Sequence, residues 1–367
     1  VRKKRGLVVV IPIAKPLIGN AEKQAVQDVL DSGQLAQGRR VLDFERRFAT
    51  FCGVEYAVAV SSGTAALHLA LLAHGIGPGD EVITTPFTFV ATANAILSTG
   101  AKPVFVDIEP ETFNINPDLI EDKVTYRTKA ILPVHLFGHP CDMGAITNIA
   151  ELYNLDVIED VCQAHGASFY SRKVGAFGTG CFSFYATKNM TTGEGGMVTT
   201  YCKEVAERLR MLRNHGSRKR YIHVLLGYNY RMTEIQAAIG VEQLKKMPHW
   251  TPLRIRNAIY LTEKLKSLSN VVLPVVREGC VHVFHQYTIR VKSGRDAAAR
   301  ALKDRGIGIG IYYPLSINKQ LLYQRLGYDC IEVPEAERAC NEVLSLPVHP
   351  SLSREDLDKV VEAVREL

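Results

Sequence analysis

The chain has 367 residues, 47% of them hydrophobic and 22% charged, which suits a large globular domain with a smaller companion. Its formal net charge is +6, but Arg2, Lys3, Lys4 and Arg5 supply four of the positives in one tail, so the clustered basic face that nucleic-acid binding needs is missing. No run reaches the roughly 18 apolar residues that span a bilayer, and eight scattered cysteines without a C-x-x-C pair read as reduced residues of a cytoplasmic protein. The tail and the apolar residues 7–14 imitate a secretory signal. Pro12 and the lack of a small-residue cleavage site make them an N-terminal strand or extended arm instead.

In chain order, helical spacing predicts helices over 22–31 and 41–51, each stopping before a glycine. A short buried strand (56–60) leads into Ser61-Ser62-Gly63-Thr64 and an apolar helix (65–73). Strands follow over 81–84, 103–106, 130–134 and 157–159, with a helix over 90–99. Alternating strands and helices predict a mainly parallel sheet covered on both faces, with functional residues at the carboxyl ends of its strands. Asp107, His135 and Asp160 fall at such ends. Residues 182–185 and 197–201 read as further strands, flanking Lys188. A helix over 233–247 is expected to break at Pro248 and Pro252. After it come a mixed-charge helix, residues 271–276, a strand over 281–291, a helix over 295–305, a strand over 307–312 and a helix over 353–366. The expected organisation is a three-layer α/β/α large domain over 1–250 and a smaller C-terminal α/β domain over 251–367.

Lys188 stands among small, hydroxylated and aromatic residues, with no charged neighbour from Cys181 to Gly193. An isolated loop lysine is ordinarily a solvated surface group. In a desolvated pocket, however, its ammonium is disfavoured and the neutral amine becomes a nucleophile, as a Schiff base with pyridoxal phosphate requires. That cofactor also needs a carboxylate at its ring nitrogen. Asp160, 28 residues earlier, can supply one, although alone it reads equally as a turn residue. Gln163 offers an amide for the phenolic oxygen. Gly63 and Thr64 open a helix whose free N–H groups suit a phosphate, with Ser183 adding a hydroxyl. Phe89 offers a face for a planar ring, or is simply a core residue. Metal and hydrolytic chemistry fare worse: His282 and His285 would face opposite sides of a strand, no carboxylate pair completes a site, and no G-x-S-x-G or P-loop occurs. No G-x-G-x-x-G follows the first strand, which counts against a dinucleotide oxidoreductase.

The segments Leu35-Ala-Gln37-Gly38, Ser62-Gly-Thr-Ala-Ala-Leu-His68, Pro86-Phe-Thr-Phe-Val90, His135-Leu-Phe-Gly138, Glu159-Asp-Val-Cys-Gln-Ala-His165, Phe182-Ser-Phe-Tyr-Ala-Thr-Lys188, Arg213-Asn-His-Gly216 and Gly227-Tyr-Asn-Tyr-Arg-Met232 occur in this order. With them the chain resembles the DegT/DnrJ/EryC/StrS sugar aminotransferases, of the fold-type-I pyridoxal-phosphate superfamily, over nearly its whole length. The resemblance implies that Lys188 forms the imine and acts as catalyst with Asp160 as pyridinium partner. Gly63, Thr64, Phe89, Gln163 and Ser183 complete the cofactor set, and the neighbouring subunit's copy of Asn229 reaches the phosphate. Substrate contacts are expected at His215, Arg231 and Tyr313.

A homodimer with a shared active site follows, the N-terminal arm and Asn229 loop being exchanged. The implied reaction moves an amino group from an amino acid, with L-glutamate expected, to a nucleotide-linked keto sugar. The run around Lys188 is most like perosamine-type enzymes, which aminate C4. Rival readings are a cyclitol (inosose) aminotransferase, a sugar dehydratase and a non-catalytic sensor. Relatives that dehydrate replace the lysine with histidine, whereas lysine stands here. Many relatives carry histidine where Asn318 stands, which leaves the sugar open.

Overall fold

A computed structural model describes residues 11–367. The basic tail and residues 7–10 of the 7–14 segment lie outside the described residues. Where the description starts, Ile11 forms a single parallel bridge with Ile307.

Helices α1 (Asn20–Ser32) and α2 (Arg39–Cys52) each end on a glycine at positive φ, Gly33 at 68° and Gly53 at 74°. That left-handed turn ends a helix without a Cβ clash. Then come β1 (Tyr56–Val60), α3 (Gly63–Ala73), β2 (Glu81–Thr84), α4 (Ala91–Ser98), β3 (Lys102–Phe105), β4 (Thr128–Ile131), α5 (Met143–Tyr153) and β5 (Asp156–Asp160). The short pair β6 (Ser168–Phe169) and β7 (Arg172–Lys173) precedes β8 (Thr179–Ser183) and β9 (Gly196–Thr200). Seven strands make one sheet in the order β1-β9-β8-β5-β4-β2-β3, in which β9 alone runs against its neighbours.

Side chains alternate across this sheet and so divide its two faces. From β1, Val58 and Val60 pack with α3 and with α6 (Lys203–Leu212). Ala57 and Ala59 pack instead with α2 and with α7 (Glu234–Leu265). Helices on both faces give the expected three layers.

Past α6 the hairpin β10 (Ser217–Lys219) and β11 (Ile222–His223) stands exposed. The C-terminal part builds a second sheet from β12 (Val271–Val272), β14 (Tyr287–Val291) and β15 (Val343–Leu346), while β13 (Cys280–Val281) pairs with β6. Around it stand α8 (Arg295–Asp304), α10 (Pro334–Glu342) and α11 (Arg354–Arg365), whereas α9 (Leu321–Arg325) packs through Tyr323 against Ala93 of α4 and Phe105 of β3. A separate core joins Leu261, Tyr287, Ile289, Leu302, Leu344 and Val360.

Three expectations need correction. Pro248 and Pro252 do not break the helix: α7 runs for 32 residues through both. Each proline is exposed, so water can bond the carbonyls that a missing N–H leaves free. Meanwhile Leu244 and Met247 bury into one core and Ala258 and Leu261 into the other, holding the helix continuous through the interruption. The 281–291 strand is two strands parted by a loop with Phe284 at φ 45°. No strand forms over 307–312, where only bridges at Ile307 and Gly310 occur.

The Arg213-Asn-His-Gly segment has a structural part. Buried Arg213 donates from Nη1 to Glu45 Oε1 at 2.5 Å and to the Ala59 carbonyl at 2.6 Å. Glu45 also accepts the Ala59 N–H at 2.9 Å, tying α2 to β1. Replacing Glu45 with leucine strands a buried guanidinium, and the expected cost is about 3–5 kcal/mol. Urea and thermal unfolding should show a clear loss; unchanged midpoints would contradict this role.

Candidate active site

Alternation along β5 sends Glu159 and Asp160 to opposite sides. Glu159, fully buried, accepts N–H groups of Gly175, Phe177 and Gly178 at 2.8–2.9 Å and faces His135 Nε2 at 3.1 Å. Those bonds occupy it structurally. Asp160 turns to the carboxyl edge of the sheet. Its Oδ2 accepts from Thr92 Oγ1 at 2.8 Å and its Oδ1 from the Cys162 N–H at 3.1 Å.

Two other strand ends meet it there. After β1, the Ser62 side chain caps α3 by accepting the Ala65 N–H at 3.1 Å. Among the described residues no acceptor takes the N–H of Gly63 or Thr64, as expected for a helix start. Gly63 must be glycine: a Cβ there would stand 2.6 Å from Ser183 Cβ, at the end of β8. The loop after β8 turns back through a bridge between Tyr185 and Gly193 and carries Lys188, whose N–H bonds the Tyr185 carbonyl at 2.9 Å.

These segments line a cavity of about 440 Å³, joined from the C-terminal part by His285, Gln286, Tyr312 and Tyr313. Gln163 accepts the Phe137 N–H at 2.9 Å and donates to the Tyr313 hydroxyl at 3.1 Å. Burial keeps that phenol protonated, well above its ordinary value, so its own O–H remains available as a donor.

Burial likewise pushes the Lys188 ammonium below the ordinary lysine value of 10.5. Cys162 and Asp160 oppose that shift. Burial holds the Cys162 thiol protonated, however, which leaves Asp160 as the opposing charge. His285 contacts Asn189 Oδ1 at 3.3 Å, and desolvation with Lys188 and Arg254 nearby holds it well below 6.5 and therefore neutral.

Of the residues singled out from the sequence, Gly63, Thr64, Phe89, Asp160, Gln163, Ser183, Lys188 and Tyr313 line this one cavity. Phe89 is not a core residue; it is 56% exposed, with its ring centroid 6.3 Å from that of Tyr313. His215, Asn229 and Arg231 lie elsewhere. His215 and Asn229 are exposed near the hairpin, and Arg231 bonds Asn214 Oδ1 at 2.6 Å. Asp107 and His135, though at strand ends, serve the framework. Asp107 caps α10 through the N–H groups of Glu335 and Ala336, and His135 Nδ1 accepts the Cys141 N–H. Asn318 is buried against the Ile331 carbonyl and does not line the cavity. His282 and His285 lie in the loop rather than on a strand. Among the described residues no group of three His, Cys, Asp or Glu could hold a metal ion. Sequence reasoning missed Thr92, Glu194 and Gln286; Thr92 sits one helical turn past Thr88, a weak signal.

The fold and this cavity define an aminotransferase. The family model of the DegT/DnrJ/EryC1/StrS aminotransferases matches residues 16–365. The chain belongs to that family, whose members depend on pyridoxal phosphate. It is 45% identical to a "Pleiotropic regulatory protein" of Geobacillus stearothermophilus, over 94% of this chain and 93% of that one. It is 41% identical to GDP-perosamine synthase of Caulobacter vibrioides, over 97% of this chain and 98% of the relative. Its fold matches crystalline S. venezuelae DesV, in complex with a ketimine intermediate, at a TM-score of 0.92 and 41% identity, covering 94% and 93% of the two chains.

The residues present fit the family's cofactor. The Gly63 cradle that a methyl group would fill, the unclaimed N–H groups beside it and the Asp160 carboxylate answer a phosphate and a protonated ring nitrogen. In cofactor-free protein, the pH dependence of Lys188 acetylation should reach its half-point below 10.5, because burial disfavours the ammonium. A half-point at or above 10.5 would contradict that.

Proposed function

We propose that this sugar aminotransferase carries an amino group from L-glutamate to C4 of a nucleotide-linked keto sugar, as a perosamine-type enzyme of the cytoplasm. The observation that carries the reading is that Lys188 and Asp160 share one cavity with the α3 N-terminus. Bound pyridoxal phosphate supplies an electron sink for the carbon that loses or gains nitrogen. The N–H groups of Gly63 and Thr64 and the Ser183 hydroxyl hold its phosphate. Asp160 keeps a proton on the ring nitrogen, Gln163 donates to the phenolic oxygen, and Phe89 covers a ring face. Lys188, whose ammonium form burial disfavours, takes the proton from the donor's α-carbon and returns it as a general acid.

Similarity to GDP-perosamine synthase supports a nucleotide-linked sugar as substrate. A second cavity of about 330 Å³ shares Thr88, Phe89 and Tyr313 with the first and gives room beyond it for the rest of a large substrate. We also propose a homodimer. Asn229 is exposed and outside its own chain's cavity, and Tyr221, Ile222, Val224 and Leu226 expose apolar surface beside it, as a hairpin reaching a partner's site would. The regulatory name of one relative favours a sensor, but a sensor has no use for a desolvated lysine beside a carboxylate. Lysine at position 188 likewise favours transfer over dehydration.

The test supplies L-glutamate and a GDP-linked 4-keto sugar and follows the amino sugar and 2-oxoglutarate by mass spectrometry. Both should form. Lys188→Ala should lose at least about 10²–10⁴-fold in rate, and Asp160→Asn should keep cofactor while losing most turnover. Full activity in either variant, or water loss without amino transfer, would contradict the proposal.

A further inference from the structure

Thr92 stands in the first turn of α4, only 1% exposed, and its hydroxyl donates to Asp160 Oδ2 at 2.8 Å. A hydroxyl inside a helix ordinarily bonds the carbonyl four residues back. Thr50, Ser98 and Thr147 do so, reaching the carbonyls of Arg46, Asn94 and Met143 at 2.6–3.1 Å. Thr92 instead turns to a carboxylate 68 positions away that lines the site cavity. Its own N–H bonds the Phe89 carbonyl at 3.1 Å, so the same turn holds the ring-covering residue.

Behind Thr92 lies Thr88, also buried, with the two hydroxyl oxygens 3.1 Å apart. Counting hydrogens fixes the direction of that bond. Thr92 has one hydroxyl hydrogen, and an ionised carboxylate only accepts. Thr92 therefore gives its hydrogen to Asp160 and accepts the one from Thr88. Both hydrogens point the same way, an order in which each bond polarises the next.

No cation fills this role. Lys188, Cys162, Cys181 and Tyr313 are the titratable groups that feel the charge of Asp160. Burial keeps both thiols and the phenol protonated, and it disfavours the Lys188 ammonium. Among the described residues, the hydrogen bonds to the Asp160 side chain come from neutral donors, Thr92 and the Cys162 N–H.

We infer that Thr92, backed by Thr88, is a positioning residue that turns the Asp160 carboxylate toward the cofactor's ring nitrogen and keeps their shared proton on the nitrogen. This rests on the role proposed above for Asp160. A donor to a carboxylate stabilises its charge and so weakens its pull on a shared proton. Without the hydroxyl, that proton is drawn toward Asp160 and the ring becomes a poorer electron sink.

The test loads the enzyme with pyridoxal phosphate carrying nitrogen-15 in its ring and records the nitrogen signal by NMR at one pH. Asp160→Asn should move that signal to the position of an unprotonated ring. Thr92→Val keeps the shape of threonine and loses the hydroxyl, and its signal should move part of the same way. Its glutamate half-reaction at saturating donor should slow about tenfold, the worth of one hydrogen bond to a charged group. Thr92→Ser should restore both. Thr88→Val should move the signal in the same direction by less, and it decides the matter if Thr92→Val does not fold or hold cofactor. An unmoved signal in either valine variant beside a shifted Asp160→Asn overturns the inference. Equal losses in Thr92→Ser and Thr92→Val overturn it too, because the hydroxyl would then not be what matters. A signal unmoved in Asp160→Asn overturns the Asp160 reading itself and this assignment with it.

Discussion

An ammonium group removed from water loses the hydration that holds its proton, and the carboxyl edge of the large sheet imposes that loss on Lys188. Such a site needs a carboxylate close by, but one that does not restore the charge on the lysine. Asp160 opposes the loss of charge only in part, since burial still leaves Lys188 below its ordinary value, and its oxygens are bonded to Thr92 and to the Cys162 N–H. The neighbouring Glu159 would add a second negative charge, but β-strand alternation turns it into the framework, where three N–H groups and His135 engage it. One side of a pleated strand thus carries chemistry and the other carries structure.

The same edge gathers segments far apart in sequence. The start of α3 and the ends of β5 and β8 come from the large sheet, whereas His285, Gln286, Tyr312 and Tyr313 arrive from the C-terminal part. Helix α7 contributes to both hydrophobic cores and so fixes how the two contributions meet. The tyrosine hydroxyl at 313 bonds Gln163, making a polar link across that junction.

Much of this was legible from local pattern. Strand, glycine turn and apolar helix at 56–73, the aspartate closing 156–160, and the uncharged run around Lys188 are short-range signals, and the structure brings them to one cavity. What stayed hidden depends on distance or tertiary packing. Thr92 bonds Asp160 across 68 positions, and only its spacing from Thr88, a weak signal, points to it. Asp107 and His135 share the strand-end address of Asp160 but are taken by a helix cap and a buried carboxylate. Pro248 and Pro252 read as breakers because propensity knows nothing of the two cores that carry α7 past them. The 281–291 segment alternates like a strand, yet the turn at Phe284 is set by its contact with Gly138, more than 140 residues earlier.

The central claim is that the amine at position 188 is the one that bonds the cofactor. Protein incubated with pyridoxal phosphate, reduced with borohydride, digested and mapped by mass spectrometry tests it most directly. A pyridoxyl group on the Lys188 peptide alone is the predicted result; label on other lysines with Lys188 unmodified, or no label at all, would contradict it.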